Sequence, residues 1–162
     1  MSDAEMLRTL AQRVEALESE QGVRACMNRY MYLCDRLDVG FPLDDLMVLF
    51  TEDATWEGIG GRYKKTFGLH QGKDAIRAMF AKYTVPPAHF RLNVHYLTSE
   101  LIVVNGTAAH GSWVLLQAST FSSGKSQLSS ARLGVAFRKE GTAWRISQFQ
   151  TEALFSRPVG QQ

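Results

Sequence analysis

Residues 93–117 read NVHYLTSELIVVNGTAAHGSWVLLQ, two long apolar runs separated by Asn105-Gly106. An Asn-Gly pair between apolar runs is the strongest short-range signal of a β-hairpin, so this stretch predicts two antiparallel strands. His95 lies within the first run, and an imidazole among core residues must be hydrogen-bonded, titrating or catalytic. The group that lies opposite His95 therefore decides what this histidine does.

The rest of the C-terminal half has the same strand pattern. Apolar runs separated by turn residues predict a meander of four long antiparallel strands, over residues 90–104, 108–121, 126–138 and 144–155. The last residues, 157–162, have the composition of a loose tail.

The N-terminal half has a helical period. Spacings of three and four predict an amphipathic helix over residues 1–20 that ends near Gly22, with an apolar stripe of Leu7, Leu10, Val14 and Leu17. Further helices are predicted over residues 23–37, 43–50 and 73–83, the last one opening at Gly72. Between the last two, residues 54–57 are strand-like, and the glycines at 58, 60 and 61 predict a turn that no helix follows.

Helices first and strands second favour an α+β fold, in which the helices pack on one face of a curved antiparallel sheet. With 162 residues and 45% hydrophobic content, residues 1–162 are expected to form a single domain. Trp113 and Leu115 alternate with Val114 and Leu116, so both faces of that strand are apolar. A second apolar face either lines a cavity or is buried against another subunit, and self-association is therefore expected.

Charge and composition exclude several classes of partner. The formal net charge is +2, without the basic block that tracks a phosphate backbone, so nucleic acid is not expected as a partner. No window approaches the roughly 18 apolar residues of a membrane span, and the N-terminus is unlike a signal peptide. Cys26 and Cys34 lie about 12 Å apart along one helix, too far for a disulfide. A cytoplasmic protein in a reducing compartment is the resulting expectation.

Metal and nucleotide sites have little support. The sequence contains no CxxC or HExxH pattern, and His89 and His95 are too far apart along one strand to share an ion. The segment Gly58-x-Gly60-Gly61 lacks the strand-to-helix context of a dinucleotide loop. No metal and no cofactor are expected.

Asp35 is the candidate partner of His95. It lies near the end of the second predicted helix among apolar residues, where a carboxylate is either solvated at the rim or turned inward and paired. An aspartate bonded to one imidazole nitrogen fixes the tautomer and raises the basicity of the other nitrogen, as a general base requires. Neither composition nor periodicity shows that the two residues meet.

Several short motifs follow one another in an order typical of a known family. They are Tyr30-x4-Asp35, LFTEDATW at 49–56, GKDAI at 72–76, and HYLTS at 95–99 ahead of IVVNGTA at 102–108. From about Glu20 to Phe155 the chain resembles the SnoaL-like branch of the nuclear-transport-factor-2-like superfamily, with scytalone dehydratase, a bile-acid dehydratase, hexachlorocyclohexane dehydrochlorinase and ketosteroid isomerase among its enzymes. The resemblance implies a cone, a strongly bent antiparallel sheet wrapped around helices that leaves a deep apolar pocket.

The resemblance also implies roles for individual residues. Asp35 and His95 correspond to the working acid-base pair, and Tyr30 to a tyrosine with which the dehydratases polarise the substrate. Trp56 corresponds to a pocket tryptophan of the dehydrochlorinase. That enzyme has a lysine where this chain has Tyr30, which favours a dehydratase-like or isomerase-like role. Relatives with this pair are commonly trimers, so a homo-oligomer is expected, a trimer ahead of a dimer.

His110 is a further candidate whose side of the sheet depends on the turn. With a two-residue turn at Asn105-Gly106, His95 pairs with Leu116 and Leu101 with His110, so both histidines face one pocket. His110 then lies at its rim or in a subunit contact. A three-residue turn places His110 on the other face.

The remaining candidates are weaker. Arg132 could hold an anionic group, although the exposed end of a strand explains it better. His70 and His89 are expected to be solvated. The apolar wall of the substrate pocket is expected to include Met31, Phe50 and Trp113 in addition to Trp56.

A cofactor-free lyase or isomerase is the function expected from these residues. His95, oriented by Asp35, removes a proton from a hydrophobic, ring-shaped small molecule while Tyr30 hydrogen-bonds an oxygen that leaves or enolises. Two other functions stay open: a non-catalytic binding module or structural subunit in which Asp35 points to solvent, and a polyketide-type cyclase with similar acid-base parts.

Overall fold

The computed structural model describes residues 2–160 as four helices and a six-stranded sheet. The helices are α1 (Asp3–Cys34), α2 (Leu43–Met47), α3 (Gly60–Thr66) and α4 (Lys73–Ala81). The strands are β1 (Phe50–Ile59), β2 (Leu69–Gln71), β3 (Phe90–Asn105), β4 (Ala108–Phe121), β5 (Ser126–Glu140) and β6 (Ala143–Val159).

The sheet is curled but not closed, in the order β2-β1-β6-β5-β4-β3. Strands β3 to β6 form the predicted antiparallel meander, and β1 joins it by parallel pairing with β6. The concave face of the sheet, called the inner face below, packs against the helices. The predicted α+β class, with helices against a strongly bent sheet, is confirmed.

The predicted hairpin of β3 and β4 is present, and its register is not the one that a two-residue turn at Asn105-Gly106 would give. Asn105 pairs with Ala108, so the two turn residues are Gly106 and Thr107. A bulge between Thr98 and Leu101, with Ser99 at φ 54, shifts the register once more. His95 consequently pairs with Gln117 and not with Leu116, and His110 pairs with Val103 and not with Leu101. Because a bulge adds one residue to one strand, it also exchanges the faces on which later side chains lie.

The sequence predicts that the first helix ends near Gly22, but α1 continues through this glycine to Cys34. A glycine inside a helix costs about 1 kcal/mol relative to alanine. Here a Cβ on Gly22 would lie 2.6 Å from the indole ring of Trp144, so the missing side chain lets α1 approach the sheet closely. The stripe of Leu7 to Leu17 is exposed, and burial on α1 begins with Ser19 and Val23.

The segment between β1 and α4 also differs from the prediction. The glycine-rich stretch was predicted to be a turn that no helix follows, yet α3 begins at Gly60, which has φ 72, and β2 follows it. A Cβ on Gly58 would lie 2.3 Å from the carbonyl oxygen of Tyr63, so this glycine allows α3 to pack directly on β1. The helix predicted from Gly72 is present as α4.

The predicted loose tail is wrong for residues 157–159. Arg157 pairs with Leu128 and Val159 with Ser126, because the start of β5 offers backbone groups that need hydrogen-bond partners. Gly160 has no regular structure, and residues 161–162 lie outside the described residues.

A single hydrophobic cluster joins the helices to the inner face of the sheet. Its fully buried members include Val23 and Met27 of α1, Val135 and Phe137 of β5, and Ile146 of β6. Helix α1 packs against β6 and β3, and its C-terminal end lies next to β3. No helix among residues 2–160 is long and apolar enough to cross a membrane.

Candidate active site

The end of α1 and the middle of β3 meet at Asp35 and His95. Asp35 caps the C-terminus of α1, and its Oδ1 accepts hydrogen bonds from His95 Nδ1 at 2.6 Å and from the His95 backbone N–H at 2.8 Å. The side chains are mostly buried, with 22% of Asp35 and 12% of His95 exposed. The two residues that the sequence could not bring together are therefore in direct contact.

This contact selects one tautomer of the neutral imidazole. A carboxylate accepts hydrogen bonds, so Nδ1 is the protonated nitrogen of the neutral ring and Nε2 carries the lone pair. Among residues 2–160, no group forms a hydrogen bond with Nε2, and His95 lines the cavity described below. An imidazole held by a carboxylate at Nδ1 can accept a proton at Nε2.

A second set of contacts fixes α1 against the hairpin. Glu100, inside the bulge of β3, accepts hydrogen bonds from Arg24 Nε at 2.6 Å and from Trp113 Nε1 at 3.1 Å. One carboxylate thus connects α1, β3 and β4. This connection and the Asp35–His95 contact hold the helix over the same strand at two points, about three turns of helix apart.

The cavity between the helices and the inner face has a volume of about 500 Å³, enough for a small organic molecule. Its wall is rich in aromatic rings, including those of Tyr30, Trp56, Phe67, Phe80 and Phe149. The rings of Trp56 and Phe149 are stacked, with their centroids 5.4 Å apart and their planes 8° apart. Met31 lines the cavity, as predicted, and α3 lies at one side of it through Tyr63 and Phe67.

Tyr30 lines the cavity, but its hydroxyl already has partners. Tyr30 Oη accepts a hydrogen bond from Trp56 Nε1 at 3.0 Å and hydrogen-bonds the thiol of Cys34. Burial raises the pKa of Tyr30 well above its ordinary value. Burial also raises the pKa of Cys34 to about 12, so both groups are neutral near pH 7.

Asp35 itself lies behind the cavity wall. It lines a small cleft on the other side of His95, together with Asn28, Tyr32 and Tyr96. His95 borders both spaces, so the imidazole separates the carboxylate from whatever occupies the cavity.

Four predicted substrate-binding residues lie elsewhere. Phe50 and Trp113 are buried in the core and are not part of the cavity wall; Phe50 packs edge-on against the ring of Tyr30. His110 and Arg132 are exposed on the outer face of the sheet, because the register of β3, β4 and β5 turns even-numbered positions of β4 and β5 outward. The expected position of Phe50 and Trp113 in the wall is therefore corrected, and His110 and Arg132 do not contact the cavity.

The sequence analysis missed a group of polar residues on the inner face, called the polar strip below. Asn93 Oδ1 accepts hydrogen bonds from Gln117 Nε2 at 2.7 Å and from Ser119 Oγ at 2.8 Å. Gln127 Nε2 donates to Ser129 Oγ at 2.7 Å on the next strand. All five line the cavity. Odd-numbered polar residues on the same face as His95 and Leu115 are the signal that could have found them.

The other histidines are placed peripherally. His70 Nε2 hydrogen-bonds the carbonyl of Phe67 at 2.9 Å. His89 is exposed at the rim of the cavity, with its ring against those of Tyr83 and Phe90. In the described part of the chain, no group of three or more His, Cys, Asp or Glu side chains is placed to hold a metal ion.

Comparison with protein families gives one match. A family model for the SnoaL-like domain matches residues 15–150, a span that includes Tyr30, Asp35, Trp56 and His95. No curated protein matches the sequence significantly.

Solved structures share the fold at low sequence identity. A protein from Novosphingobium aromaticivorans, provisionally named scytalone dehydratase, superposes with a TM-score of 0.74 at 16% identity, over 90% of this chain and 91% of that one. A hexachlorocyclohexane dehydrochlorinase from Novosphingobium barchaimii gives a TM-score of 0.72 at 16% identity, over 91% and 94%. An NTF2-like protein with a cystatin-like fold from Novosphingobium aromaticivorans superposes with a TM-score of 0.66 at 23% identity, over 91% of this chain and 90% of that one.

Proposed function

The chain belongs to the SnoaL-like domain family, and from this premise we propose that it is a cofactor-free lyase that removes water from a hydrophobic, cyclic small molecule. One observation carries the proposal: His95 has Nδ1 bound to Asp35 while Nε2 borders an aromatic cavity. A histidine held in this way needs only a substrate with an acidic C–H bond within reach of Nε2.

The reaction follows from this arrangement. Nε2 takes the proton of the C–H bond, and the electron pair of that bond forms a C=C bond as the adjacent C–O bond breaks. The departing oxygen takes the proton from Nε2–H and leaves as water, so the histidine returns to its neutral form. Asp35 stabilises the imidazolium that exists between the two proton transfers.

The cavity supports the substrate class. Stacked and edge-on aromatic rings favour a flat or ring-shaped apolar ligand, and burial of such a ligand provides binding energy without a cofactor. Two of the proteins that share this fold carry the names dehydratase and dehydrochlorinase, both of which denote eliminations. Because these similarities are below 25% identity, the weight of the proposal rests on the Asp35–His95 contact.

Proton abstraction is tested with β-tetralone, a bicyclic ketone with an acidic C–H bond. Wild-type protein in D₂O should accelerate exchange of that hydrogen above the buffer rate, measured by proton NMR. His95→Ala should reduce the accelerated rate at least 100-fold, the ordinary contribution of a general base being about 10²–10⁴-fold. His110→Ala is the matched control, since His110 lies on the outer face and its removal should leave the rate unchanged.

Elimination is tested separately with a β-hydroxycyclohexanone, by following the absorbance of the enone. Exchange that depends on His95 without enone formation would favour isomerisation over elimination. Equal rates in the wild type and His95→Ala would contradict the proposal and favour a non-catalytic binding protein.

A further inference from the structure

Asn93 is the residue of the polar strip that shares β3 with His95. It precedes His95 by two residues in β3, so the two side chains lie on the same face and both line the cavity. Its Oδ1 already accepts hydrogen bonds from Gln117 and Ser119. These two donors fix the orientation of the amide, and Nδ2 has no acceptor among the residues that the structure describes.

The spacing of Asn93 and His95 fits one ligand geometry. Side chains two residues apart on a strand face are about 6.6 Å apart. A base lies about 3 Å from the carbon whose proton it takes, and an amide N–H lies about 2.9 Å from the oxygen it binds. A carbonyl oxygen one carbon away from that C–H bond lies between the two groups at these distances. The same pair could not serve a C–H bond and an oxygen at opposite ends of a large ring.

Other donors near His95 already make hydrogen bonds. Trp56 donates to the Tyr30 hydroxyl, and Gln117 Nε2 directs one of its two protons to Asn93. Ser119 Oγ also donates to Asn93. Both amide protons of Asn93, by contrast, have no acceptor among residues 2–160 and are available to a ligand.

We propose that Asn93 Nδ2 binds the carbonyl oxygen of the substrate, which is therefore a β-hydroxy carbonyl compound. This inference rests on the proposed function. His95 Nε2 takes the proton from the carbon next to the carbonyl, and the electron pair moves onto the carbonyl oxygen as an enolate held by Nδ2. The pair then returns to form the C=C bond, the C–O bond to the hydroxyl breaks, and this oxygen leaves as water with the proton from Nε2–H.

The test compares the binding of β-tetralone with that of tetralin, its hydrocarbon counterpart, by calorimetry. The wild type should bind the ketone about tenfold more tightly, the ordinary value of one neutral hydrogen bond. Asn93→Leu should abolish this preference. Asn93→Asp should do the same with less risk to the fold, because its carboxylate still accepts from Gln117 and Ser119 but has no amide donor. His110→Ala is the control and should keep the preference, since His110 is exposed on the outer face of the sheet.

The outcomes separate this inference from the proposed function. His95→Ala should keep the preference for the ketone and lose the exchange reaction. A preference that persists in both Asn93 variants, or a wild type without any preference, would overturn the role of Asn93 and leave the role of His95 intact. Loss of the preference together with exchange that does not need His95 would support the Asn93 site and contradict the lyase.

A second inference concerns the N-terminal arm, residues 3–18 of α1, all of which are exposed. Its apolar residues Leu7, Leu10, Val14 and Leu17 are 67%, 49%, 50% and 66% exposed. Spacings of three, four and three place them at successive a and d positions of a heptad. Arg13 then occupies position g and Glu18 the following position e, which face each other across a parallel pair of helices.

The charges thus match a second copy of this chain in parallel register, and we propose that two arms pair as a short coiled coil. Light scattering across the micromolar range should show an association that Leu10→Glu abolishes. Gln12→Glu, on the opposite side of the arm, is the charge-matched control and should leave it unchanged. Association that survives Leu10→Glu, or a wild-type monomer, would overturn the pairing.

A charge exchange tests the register. Arg13→Glu and Glu18→Arg should each weaken self-association because like charges then face each other. An equal mixture of the two variants should associate again. In a mixed pair, the glutamate at position 13 of one variant would face the arginine at position 18 of the other. A mixture no better than either variant would overturn the parallel register.

Discussion

Asp35 Oδ1 lies 2.6 Å from Nδ1 of His95 and 2.8 Å from the backbone nitrogen of the same residue. One oxygen therefore binds both the ring and the main chain of His95. This contact fixes the imidazole on β3 and also fixes the end of α1 against the strand. The helix C-terminus, the strand and the base form one unit. Any change at Asp35 is expected to affect the orientation of the base as well as its charge.

Asp35→Asn separates these two effects. The amide oxygen of the substituted side chain could still accept both N–H bonds, but the negative charge that stabilises the imidazolium would be lost. We expect the rate of β-tetralone exchange to fall by about 10²–10⁴-fold with little change in the circular dichroism spectrum. Asp45→Asn, an exposed position on α2, is the control. A rate within about threefold of wild type would show that the charge of Asp35 is not needed.

Tyr30→Phe is expected to affect stability more than turnover. The Tyr30 hydroxyl is the acceptor of Trp56 Nε1, so its removal leaves a buried N–H unpaired at a cost of about 1–3 kcal/mol. We expect this loss in urea denaturation and less than a tenfold change in exchange rate. A large loss of rate at unchanged stability would instead show that Tyr30 binds the reacting oxygen.

Gly22→Ala should destabilise the protein, although alanine favours helices. The added Cβ would lie 2.6 Å from the Trp144 ring, and overpacking of this kind costs about 1–3 kcal/mol. Gly61→Ala is the matched control, because no atom lies within 4 Å of its Cβ position and its helix should gain up to about 1 kcal/mol. Thermal unfolding of the two variants should therefore shift in opposite directions, and parallel shifts would contradict the close approach of α1 to Trp144.

The buried thiols predict a loss of stability in alkali. Burial raises the pKa of Cys26 to about 12, well above the ordinary value of 9.0. The folded state therefore keeps a proton that the unfolded state releases above pH 9, so stability is complete below that value and decreases as the pH rises towards 12. Between pH 8 and pH 10 the free energy of unfolding of Cys26→Ala should fall by about 1 kcal/mol less than that of the wild type, measured by urea denaturation under reducing conditions. Equal losses of stability in the variant and the wild type would contradict the raised pKa of Cys26.

Much of the fold could be predicted because its signals are local. The period of two and the turn residues define β3 to β6 to within a few residues, and Gly72 marks the start of α4. Local signals could not predict helix α3 or the continuation of helix α1 beyond Gly22. In both cases a glycine is needed because a distant atom, on Tyr63 or Trp144, occupies the position of a side chain.

The site was predictable to a smaller extent. The resemblance pointed to Tyr30, Asp35, Trp56 and His95, and all four lie around the cavity or directly behind its wall. The face of His110 stayed open, since the position and length of the turn after β3 decide which residues of β4 point inward. Asn93 was not noticed, because one polar residue in a strand carries no signal until its face is known.

The sequence by itself determined the strands, most helices and the presence of a histidine in an apolar strand, since these depend on residue periods of a few positions. Only the tertiary structure decided that Asp35 reaches His95, that Trp56 donates to the Tyr30 hydroxyl, and that Gln117 donates to Asn93. These relations join residues 24 to 60 positions apart. They depend on how α1 crosses the curved sheet, and no local sequence pattern encodes contacts between residues so far apart in the chain.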